Sequence, residues 1–251
     1  MTPHRFFIDE PTPRDGAVLN LPHEVSRQVA RVLRMRVGDS IALFDGSGCE
    51  WPATITDIGK DSVSVTTGQG ADPLSEPKLK VTVCQGLVPS DRMDYVVQKC
   101  TELGVDRIVP MLTERVQAKD ATPSAKRLER WQRIAREAAE LAGRTRVPEV
   151  MAQQSLDDVL RVMPAEGPVL MLWEEEQGSS LRTAVRESLG SHPRHVTLLI
   201  GPVGGLSGAE ADAAKAAGVV VVGAGARILR AETAPVVALA ALMYEAGELG
   251  G

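Results

Sequence analysis

The sequence predicts an α/β domain with a mostly parallel sheet, preceded by a smaller β-rich unit that is typical of a barrel. Residues 1–70 hold short apolar stretches separated by turn residues, whereas apolar strands alternate with helical stretches from residue 79 onward. Between them, residues 68–78 (GQGADPLSEPK) are rich in Gly, Pro and polar residues. This composition is typical of an exposed linker, which we place at residues 71–78. The predicted domains are therefore residues 1–70 and residues 79–251.

In the β-rich unit, three apolar stretches bounded by turn residues predict strands, at residues 40–44, 53–58 and 62–66. The turns between them are the segments DGSG (45–48) and GKD (59–61). One helical stretch precedes these strands and follows Pro22 and His23. Its apolar side chains recur at helical spacing and predict one buried face, formed by Val25, Val29, Val32 and Leu33.

The second domain contains five apolar stretches of strand length, at residues 79–84, 107–111, 169–173, 196–200 and 219–222. Typical cap residues bound the helical stretches between them, with Ser90 predicted to cap the first one and Gly104, Gly143 and Gly218 predicted to end helices. The final helix, residues 234–246, is apolar on nearly all sides, which indicates burial within the domain or against another subunit. Parallel sheets of this kind bind ligands at the carboxyl ends of their strands.

Length and composition are ordinary for a globular protein, with 251 residues of which 43% are hydrophobic and 24% charged. The cysteines (Cys49, Cys84 and Cys100) are too scattered to predict a metal site or a disulfide framework. No apolar run reaches the roughly 18–20 residues that span a membrane. The start of the chain lacks the long apolar region of a signal peptide. We therefore expect a cytoplasmic protein that works without a membrane and without a metal ion.

The net charge is −5, but basic residues cluster in two stretches. Residues 27–36 hold four Arg and no acidic residue, and residues 107–146 hold ten Lys or Arg against five acidic residues. Local basic faces on an acidic protein suit a polyanionic partner, because the field at the contact matters more than the total charge. The alternative is that these faces are only solvated. The candidate phosphate contacts are Arg31, Arg34, Arg36, Arg130, Arg133 and Arg136.

Three loops follow strands near the C-terminus and carry candidate ligand-binding residues. They begin with Trp173-Glu174, with the segment GPVGG (201–205) and with the segment GAGA (223–226). Glycine lets backbone N–H and C=O groups approach a ligand closely, so two glycine-rich loops after parallel strands favour a nucleotide-like ligand held by the main chain. Neither loop has the lysine of a phosphate-binding P-loop or the spacing of a dinucleotide fingerprint. The alternative for each loop is a tight turn.

The segment RILRAETA (227–234) is the densest run of charged and capping side chains. Arg227 and Arg230 flank an apolar pair, and Glu232 and Thr233 begin the last helix. A carboxylate suits the positive end of a helix, and Thr is a typical cap residue. These residues either contribute to a site or only start the helix.

Over its whole length the chain resembles the RsmE-type small-subunit rRNA uridine-N3 methyltransferases of the SPOUT superfamily. The matching residues are Arg5-Phe6-Phe7 and the segments VLRMRVGDSIALFDGSG (32–48), DRMDYVVQKCTELGVDRIVP (91–110), RWQRIAREAAELAGRTRVPEV (130–150), IGPVGGLS (200–207) and GARILRAETA (225–234). The last two segments, in this combination and order, are specific to that family.

Two positions depart from the family's pattern, because Val203 stands where it usually has Glu and Ala231 where it has Thr. Val203 supplies no carboxylate for binding or proton transfer, while the main-chain surface of the loop is retained.

The resemblance implies an N-terminal PUA-like β-barrel that binds RNA and a C-terminal SPOUT fold with a deep trefoil knot. It implies a homodimer with active sites shared between subunits, with Leu242 and Met243 of the last helix as candidate interface residues. The implied cofactor is S-adenosylmethionine, and the implied substrate is 16S rRNA, free or within the 30S subunit. Arg5, from the first matching segment, joins the candidate RNA contacts. The residues that match the family's cofactor loops are Leu172, Trp173, Glu174, Gly201, Gly204, Gly205, Gly223, Ala224, Gly225, Ile228, Leu229 and Arg230.

The implied reaction needs few side chains. Uridine N3 carries a proton at neutral pH, and its attack requires N3, methyl and sulfur in line, which is mainly a problem of positioning. As N3 loses its proton, negative charge spreads to the flanking carbonyl oxygens, where an Arg stabilises it. Arg230 is the candidate for this role, and Glu232 is the candidate base. The sulfonium is already positive, so no metal is needed, and Glu174 favours it electrostatically.

Two other classes of function fit the residues without the resemblance. One is a non-catalytic RNA-binding or ribosome-assembly factor, in which the glycine-rich loops are only structural. The other is a nucleotide-dependent transferase that acts on small molecules and has no RNA partner. Binding of S-adenosylmethionine separates the scaffold from the enzyme, and a comparison of 30S particles with free nucleosides as acceptors separates the two enzymes.

Overall fold

The structure is a computed structural model that describes residues 3–9, 13–73, 76–117, 124–190 and 192–250. Its backbone contacts divide the chain into two compact units. The N-terminal unit comprises Met1–Glu76 with Ala139–Val147, and the C-terminal unit comprises Pro77–Ala138 with Pro148–Gly251. The domain boundaries from the sequence stay a prediction, and the contacts add residues 139–147 to the N-terminal unit.

The N-terminal unit is a five-stranded sheet with the spatial order β1-β3-β4-β5-β2. Strands β1 and β3 pair in parallel, and the other pairs are antiparallel. Phe6, Leu43, Ile55 and Val65 point into one apolar core, because alternate residues of a strand share a face. The predicted β-rich unit is therefore confirmed. Its strands are β1 (His4–Phe7), β2 (Val18–Asn20), β3 (Ser40–Phe44), β4 (Glu50–Ile58) and β5 (Val63–Thr67).

The predicted helix of this unit is interrupted by a π turn. Helix α1 (His23–Arg27) is followed by a π-helical turn at Gln28–Val32. Val25 and Val29 are buried as predicted, but Val32 is 68% exposed. The Leu33 N–H donates to the Gln28 carbonyl, five residues back, so the wider turn rotates Val32 out of the face that packs on the sheet. The prediction for Val32 was wrong for this reason.

Residues 139–147 are held in the N-terminal unit by the carboxylate of Glu76. Its Oε1 accepts hydrogen bonds from the N–H groups of Thr145 and Arg146, at 2.8 and 2.9 Å. Its Oε2 lies 2.8 Å from Nη2 of Arg144, whose side chain is buried. The carboxylate therefore accepts hydrogen bonds from two backbone N–H groups and pairs with a buried guanidinium.

The C-terminal unit contains a seven-stranded sheet with the order β12-β10-β11-β6-β7-β8, and β9 also pairs with β7. All of these pairs are parallel, which confirms the predicted α/β class with a mostly parallel sheet. The strands are β6 (Lys80–Gly86), β7 (Arg107–Leu112), β8 (Glu149–Val150), β9 (Gln154–Ser155), β10 (Val169–Leu172), β11 (His195–Ile200) and β12 (Val220–Val222).

Helices connect these strands. The predicted helices are present, although Ser90 does not cap the first one as expected. The carbonyl of Pro89 accepts hydrogen bonds from the N–H groups of Arg92 and Met93, so Pro89 is the cap and Ser90 is already helical. The helices are α2 (Ser90–Glu102), α3 (Ala125–Ala142), α4 (Leu156–Val162, followed by a 3₁₀ turn at Met163–Ala165), α5 (Leu181–Gly190), α6 (Gly208–Ala216) and α7 (Ala234–Glu245).

The last helix, α7, packs mainly within its own unit. Leu242 and Met243 are fully buried, so these candidate interface residues belong to the core of the unit. An apolar surface on most sides of a helix is expected when neighbouring elements cover it, and α7 contacts α2, α5, β6 and β11. The exposed apolar side chains of this helix are Val237 and Tyr244.

Two further observations concern the described residues only. None of their helices combines the length and apolar character needed to cross a membrane. Within the same residues, no group of three or more His, Cys, Asp and Glu side chains could hold a metal ion.

Candidate functional site

The three candidate loops start side by side at one edge of the C-terminal sheet. Leu172, the last residue of β10, pairs with Ile200 of β11 on one side and with Val222 of β12 on the other. Because these strands are parallel, the loops that follow them leave from the same edge. The sequence identified each loop by its glycines, and the strand order brings the three together.

These loops and the segment 225–231 enclose a cavity of about 860 Å³. This volume lies within the range of about 300 to 1,000 Å³ that is usual for small-molecule binding sites. Gly204 and Glu232 do not line this cavity. The predicted residues that line it are Leu172, Trp173, Glu174, Gly201, Gly205, Gly223, Ala224, Gly225, Ile228, Leu229 and Arg230.

Glycine is required in these loops for close approach and for backbone conformation. A Cβ at Gly223 would lie 2.3 Å from the carbonyl oxygen of Glu176, a distance that no side chain tolerates. Gly205 has a φ of +72°, in the left-handed region that other residues rarely adopt. At these glycines the main chain itself reaches the cavity, so backbone groups form part of its wall.

Two side chains support the loop 201–205 on the side away from the cavity, namely the predicted Trp173 and Arg115, which the sequence analysis did not identify. The guanidinium of Arg115 donates to the carbonyl oxygens of Gly204 and Leu206, both at 3.3 Å. The indole N–H of Trp173 donates to the same Leu206 oxygen at 3.2 Å. A Cβ at Gly204 would lie 3.0 Å from Cβ of Arg115, so Gly204 faces this support and not the cavity. Arg115 lies far from the loop in sequence, and no local signal marks it.

Acidic side chains lie on one part of the cavity wall. A backbone hydrogen bond from Gly178 and an ion pair with Lys215, at 3.2 Å, hold the pKa of Glu176 below its usual value. Lys215 also lies over the ring of Trp173, 5.7 Å from its centroid. Glu174 lies against Gly205, because a Cβ there would meet its carboxylate. The wall thus carries negative charge near Trp173 although Val203, which also lines the cavity, has none.

Glu232 lies between two arginines. Its Oε2 is buried without a hydrogen-bond partner among the described residues and is 3.5 Å from Nη1 of Arg92. Its Oε1 is 3.9 Å from Nη1 of Arg230. Both arginines line the cavity, whereas the Glu232 side chain is only 14% exposed. The structure therefore brings the predicted Arg230 and Glu232 together and adds Arg92, which the sequence analysis missed.

Thr233 occupies the cap position of α7 but does not act as predicted. Its side chain makes no cap hydrogen bond, because Thr233 already has helical dihedral angles. Its N–H and that of Ala234 both donate to the carbonyl of Arg230, so a turn precedes the helix. Cap side chains act from an extended conformation, which this turn excludes.

Two of the three cysteines, Cys84 and Cys100, are poorly suited to act as nucleophiles. Burial raises the pKa of the Cys84 and Cys100 thiols to about 12, so both are protonated near neutral pH. A buried, protonated thiol is a poor nucleophile.

The candidate RNA contacts of the N-terminal unit differ in exposure. Arg5 is only 12% exposed, pairs with Glu50 and donates to the carbonyl of Arg144 at 2.9 Å. Its guanidinium is thus used inside the unit, which is at odds with its predicted contact with RNA. Arg31, Arg34 and Arg36 are exposed, and we call them the arginine surface. Arg31 lies 2.6 Å from Asp61, and Arg34 has a left-handed backbone with a φ of +53°.

The second basic stripe, on helix α3, is largely paired. Arg130 forms a two-pronged contact with Asp94, which raises the pKa of Arg130 through a side-chain hydrogen bond. Arg133 lies 3.8 Å from Glu137. Arg136 is half-buried. Lys119 and Asp120, which the sequence analysis counted in this stretch, lie outside the described residues. Paired arginines attract phosphate less than unpaired ones do, because the neighbouring carboxylate opposes the attraction.

Two family models match the chain. An RNA methyltransferase domain matches residues 75–243, and an RNA methyltransferase PUA domain matches residues 29–67. The first match covers most of the C-terminal unit, and the second covers a central part of the N-terminal unit. They support the PUA-like and SPOUT assignments that the resemblance implied.

Individual proteins are similar over nearly the whole chain. The ribosomal RNA small subunit methyltransferase E of Bacillus subtilis is 32% identical, with 98% of each chain covered. The crystal structure of the enzyme of the same name from Neisseria gonorrhoeae, bound to S-adenosyl methionine, is 34% identical, with a TM-score of 0.86 and 98% of each chain covered. A putative methyltransferase from Legionella pneumophila, in complex with the cofactor SAM, is 31% identical with a TM-score of 0.87 over 98% of each chain.

Proposed function

The chain belongs to the RsmE-type RNA methyltransferase family, and we propose that it transfers a methyl group from S-adenosylmethionine to N3 of a uridine in 16S rRNA. The observation that carries this proposal is the cavity where three loops meet at the carboxyl edge of β10, β11 and β12. A relative that shares the fold at a TM-score of 0.86 has been solved with S-adenosyl methionine bound.

The residues present fit that cofactor. The walls are main chain at Gly201, Gly205 and Gly223, where an added Cβ would approach its nearest neighbour to 3.1 Å or less. Backbone N–H and C=O groups at such positions can pair with the polar edges of an adenosyl group. Trp173 and Leu172 add apolar surface, and Glu174 and Glu176 add negative charge that suits a sulfonium. When bound, the cofactor supplies an electrophilic methyl group.

Arg230 is the proposed electrostatic catalyst. It lines the cavity, and its side chain is 77% exposed, so it can meet the carbonyl oxygens of a uracil. Negative charge develops on those oxygens as N3 loses its proton, and a cation placed there stabilises the transition state more than the ground state. The role of Glu232 as the proton acceptor stays a prediction, and it competes with a positioning role that the contacts of Glu232 with Arg92 and Arg230 support.

The arginine surface of the N-terminal unit is the proposed RNA contact, with the 30S subunit as the proposed form of the substrate. Arg31, Arg34 and Arg36 are exposed and lie within the last six residues of the stretch 27–36, which contains no acidic residue. Phosphate contacts of this kind position a protein on RNA without reading its sequence. Because the proposed substrate is ribosomal RNA, we place the protein in the cytoplasm.

We propose that two copies of the chain form a homodimer through the C-terminal unit. Val237 and Tyr244 leave exposed apolar surface on α7, and Ile228 does so on the cavity wall. Such a patch is costly in water unless a second subunit covers it. Sedimentation at micromolar concentration is expected to show a dimer, and a monomer would contradict the proposal.

The function is tested with the purified chain. Calorimetry with S-adenosylmethionine is expected to show saturable binding, and incubation with 30S particles lacking the modification is expected to yield a methyluridine that mass spectrometry maps to one position. Cofactor binding without methylation of rRNA, but with methylation of free nucleosides, would support a small-molecule transferase. Absence of cofactor binding at high micromolar concentration would support a non-catalytic RNA-binding protein.

A further inference from the structure

Arg92 occupies a place in the site that neither the motifs nor the family resemblance assigned to it. Its Nη1 lies 3.5 Å from Oε2 of Glu232, and its side chain lines the same cavity as Arg230. The two guanidiniums approach different oxygens of one carboxylate, since Arg230 lies 3.9 Å from Oε1. Glu232 itself is not part of the cavity wall. The carboxylate therefore lies behind two cations that face the cavity.

The two cations are held differently. Arg92 lies in the first turn of α2, a helix fixed by the buried side chains of Met93, Val96 and Val97. Its side chain is 35% exposed, against 77% for Arg230, which lies in a loop. A functional group on a packed helix is positioned more accurately than one on a loop. The charge of Arg92 also interacts more strongly with a ligand than the charge of Arg230 does, because less water surrounds it.

Glu232 has the surroundings of a residue that orients its neighbours. Its Oε2 is buried and lacks a hydrogen-bond partner among the described residues, so the nearby guanidinium of Arg92 is its main compensation. A buried carboxylate is tolerated when a cation pairs with it, and the pair then fixes both side chains. The pair joins the first turn of α2 to the residues just before α7, and these two helices pack against each other.

We propose that Arg92 is a second catalytic arginine, which stabilises the uracil together with Arg230, and that Glu232 is a positioning residue for both. The inference rests on the proposed function. Loss of the N3 proton spreads negative charge over two carbonyl oxygens, one on each side of N3, and two guanidiniums match two oxygens.

The step balances without a carboxylate base. The N3–H bond breaks and its proton goes to water, while its electron pair stays on N3. That pair forms the new bond to the methyl carbon, and the electron pair of the broken carbon–sulfur bond stays on sulfur. Arg92 and Arg230 keep their protons throughout.

The test compares the variants Arg92→Ala and Arg92→Lys with the wild-type chain and with Arg161→Ala as a control. Arg161 pairs with Asp158 on the surface of α4 and lies outside the cavity lining. Arg92→Ala is expected to lower kcat on 30S particles by about 10²-fold, which is typical for the loss of one such donor. Arg92→Lys keeps the positive charge but lacks the planar guanidinium with its paired N–H donors, so the fall in kcat should be smaller, about 10-fold.

Binding of S-adenosylmethionine, measured by calorimetry, is the readout that does not depend on turnover. It should change by less than about threefold in both variants, because the inferred partner of Arg92 is the uracil. Unchanged binding also shows that the cavity is folded. A wild-type kcat in Arg92→Ala, or a loss of cofactor affinity with kcat retained, would overturn the inference.

Two Glu232 variants separate positioning from proton transfer. Glu232→Gln keeps an oxygen that can accept from a guanidinium, whereas Glu232→Ala does not. If Glu232 is a positioning residue, Glu232→Gln should keep kcat within about 10-fold of the wild-type value. Glu232→Ala should lose about as much kcat as Arg92→Ala, and combining Glu232→Ala with Arg92→Ala should cause no further loss. Equal and large losses in both variants would overturn the role given to Glu232. A wild-type chain that fails to methylate 30S particles overturns the proposed function itself, and an active wild type with an active Arg92→Ala overturns only the inference.

Discussion

The cavity of the C-terminal unit and the arginine surface of the N-terminal unit differ in the kind of groups that form them. Part of the cavity wall is main chain at glycines such as Gly205 and Gly223, where a side chain has no room. The arginine surface consists of long side chains that the fold leaves in solvent. Ligand binding in the cavity should therefore be impaired when a side chain is added, and RNA binding at the arginine surface when a side chain is removed.

The same contrast separates binding from chemistry. Cofactor affinity is assigned to backbone groups, catalysis to the arginines beside Glu232, and RNA affinity to Arg31, Arg34 and Arg36. A variant in one region should leave the other two properties unchanged, because the groups do not share side chains. Each prediction below tests one side of this separation.

The largest expected effect comes from adding one methyl group to the cavity wall. In Gly223→Ala the new Cβ would meet the carbonyl oxygen of Glu176 at 2.3 Å, so the loop backbone must move. Each main-chain hydrogen bond to the cofactor that this movement breaks costs about 1–3 kcal/mol, so the loss of two should lower affinity for S-adenosylmethionine, measured by calorimetry, by about 10³-fold. Gly208→Ala, where no atom lies within 4 Å, is the matched control and should bind normally. Wild-type affinity in Gly223→Ala would show that this loop does not form the cofactor site.

Next in size is the effect of Arg230→Ala, which removes a cation from the wall without altering the backbone. We expect kcat on 30S particles to fall by about 10²-fold, the lower end of the usual range, because this side chain is largely exposed. Affinity for the cofactor should stay within about threefold. If affinity falls and kcat does not, Arg230 belongs to the cofactor site and the separation of binding from chemistry fails there.

A smaller effect is expected from the triple variant Arg31→Ala, Arg34→Ala, Arg36→Ala. Each phosphate contact contributes about 0.7–0.9 to the slope of log affinity against log salt, so the slope should fall by about 2–3. Binding of 30S particles or rRNA fragments, titrated at several salt concentrations, measures this. Cofactor affinity should not change. An unaltered slope would show that these arginines are only solvated and do not contact phosphate.

The smallest effect should have the opposite sign. Asp61 pairs with Arg31 at 2.6 Å on the surface, so Asp61→Asn leaves that guanidinium free for phosphate. Exposed ion pairs contribute about 0.2–1 kcal/mol, which corresponds to a gain in RNA affinity of about 1.4- to 5-fold. Asp158→Asn, which frees Arg161 in the C-terminal unit, is the matched control and should not strengthen binding. Weaker binding in Asp61→Asn would contradict a phosphate contact at Arg31.

The strands, the ends of several helices and the glycine-rich loops could be read from the sequence because their signals are local. Residues 40–44 were predicted as a strand and form β3 with the same bounds, since an apolar stretch between turn residues has few alternatives. Gly104 and Gly218 were predicted to end helices and have left-handed backbones there. The loops 201–205 and 223–226 were recognised because glycine itself signals close approach.

The sequence could not show which distant residues meet. That β10 lies between β11 and β12, and so joins three loops in one cavity, follows from the order of the strands in the sheet. Arg92 and Glu232 are far apart in the chain and meet because α2 packs on α7. Arg115 supports the loop 201–205 in the same way. Spacing along the chain carries no information about such pairs.

Burial was the other property that local patterns did not decide. Helical spacing placed Val32 in the core, but a π turn rotates it into solvent. The apolar last helix suggested an interface at Leu242 and Met243, yet its own unit covers both. Arg5 was predicted to contact RNA, but its guanidinium pairs with Glu50 inside the N-terminal unit. The sequence by itself determined which segments are apolar, charged or rich in glycine, whereas the tertiary structure decided which of them water reaches, because exposure depends on what packs against a residue and not on its neighbours in the chain.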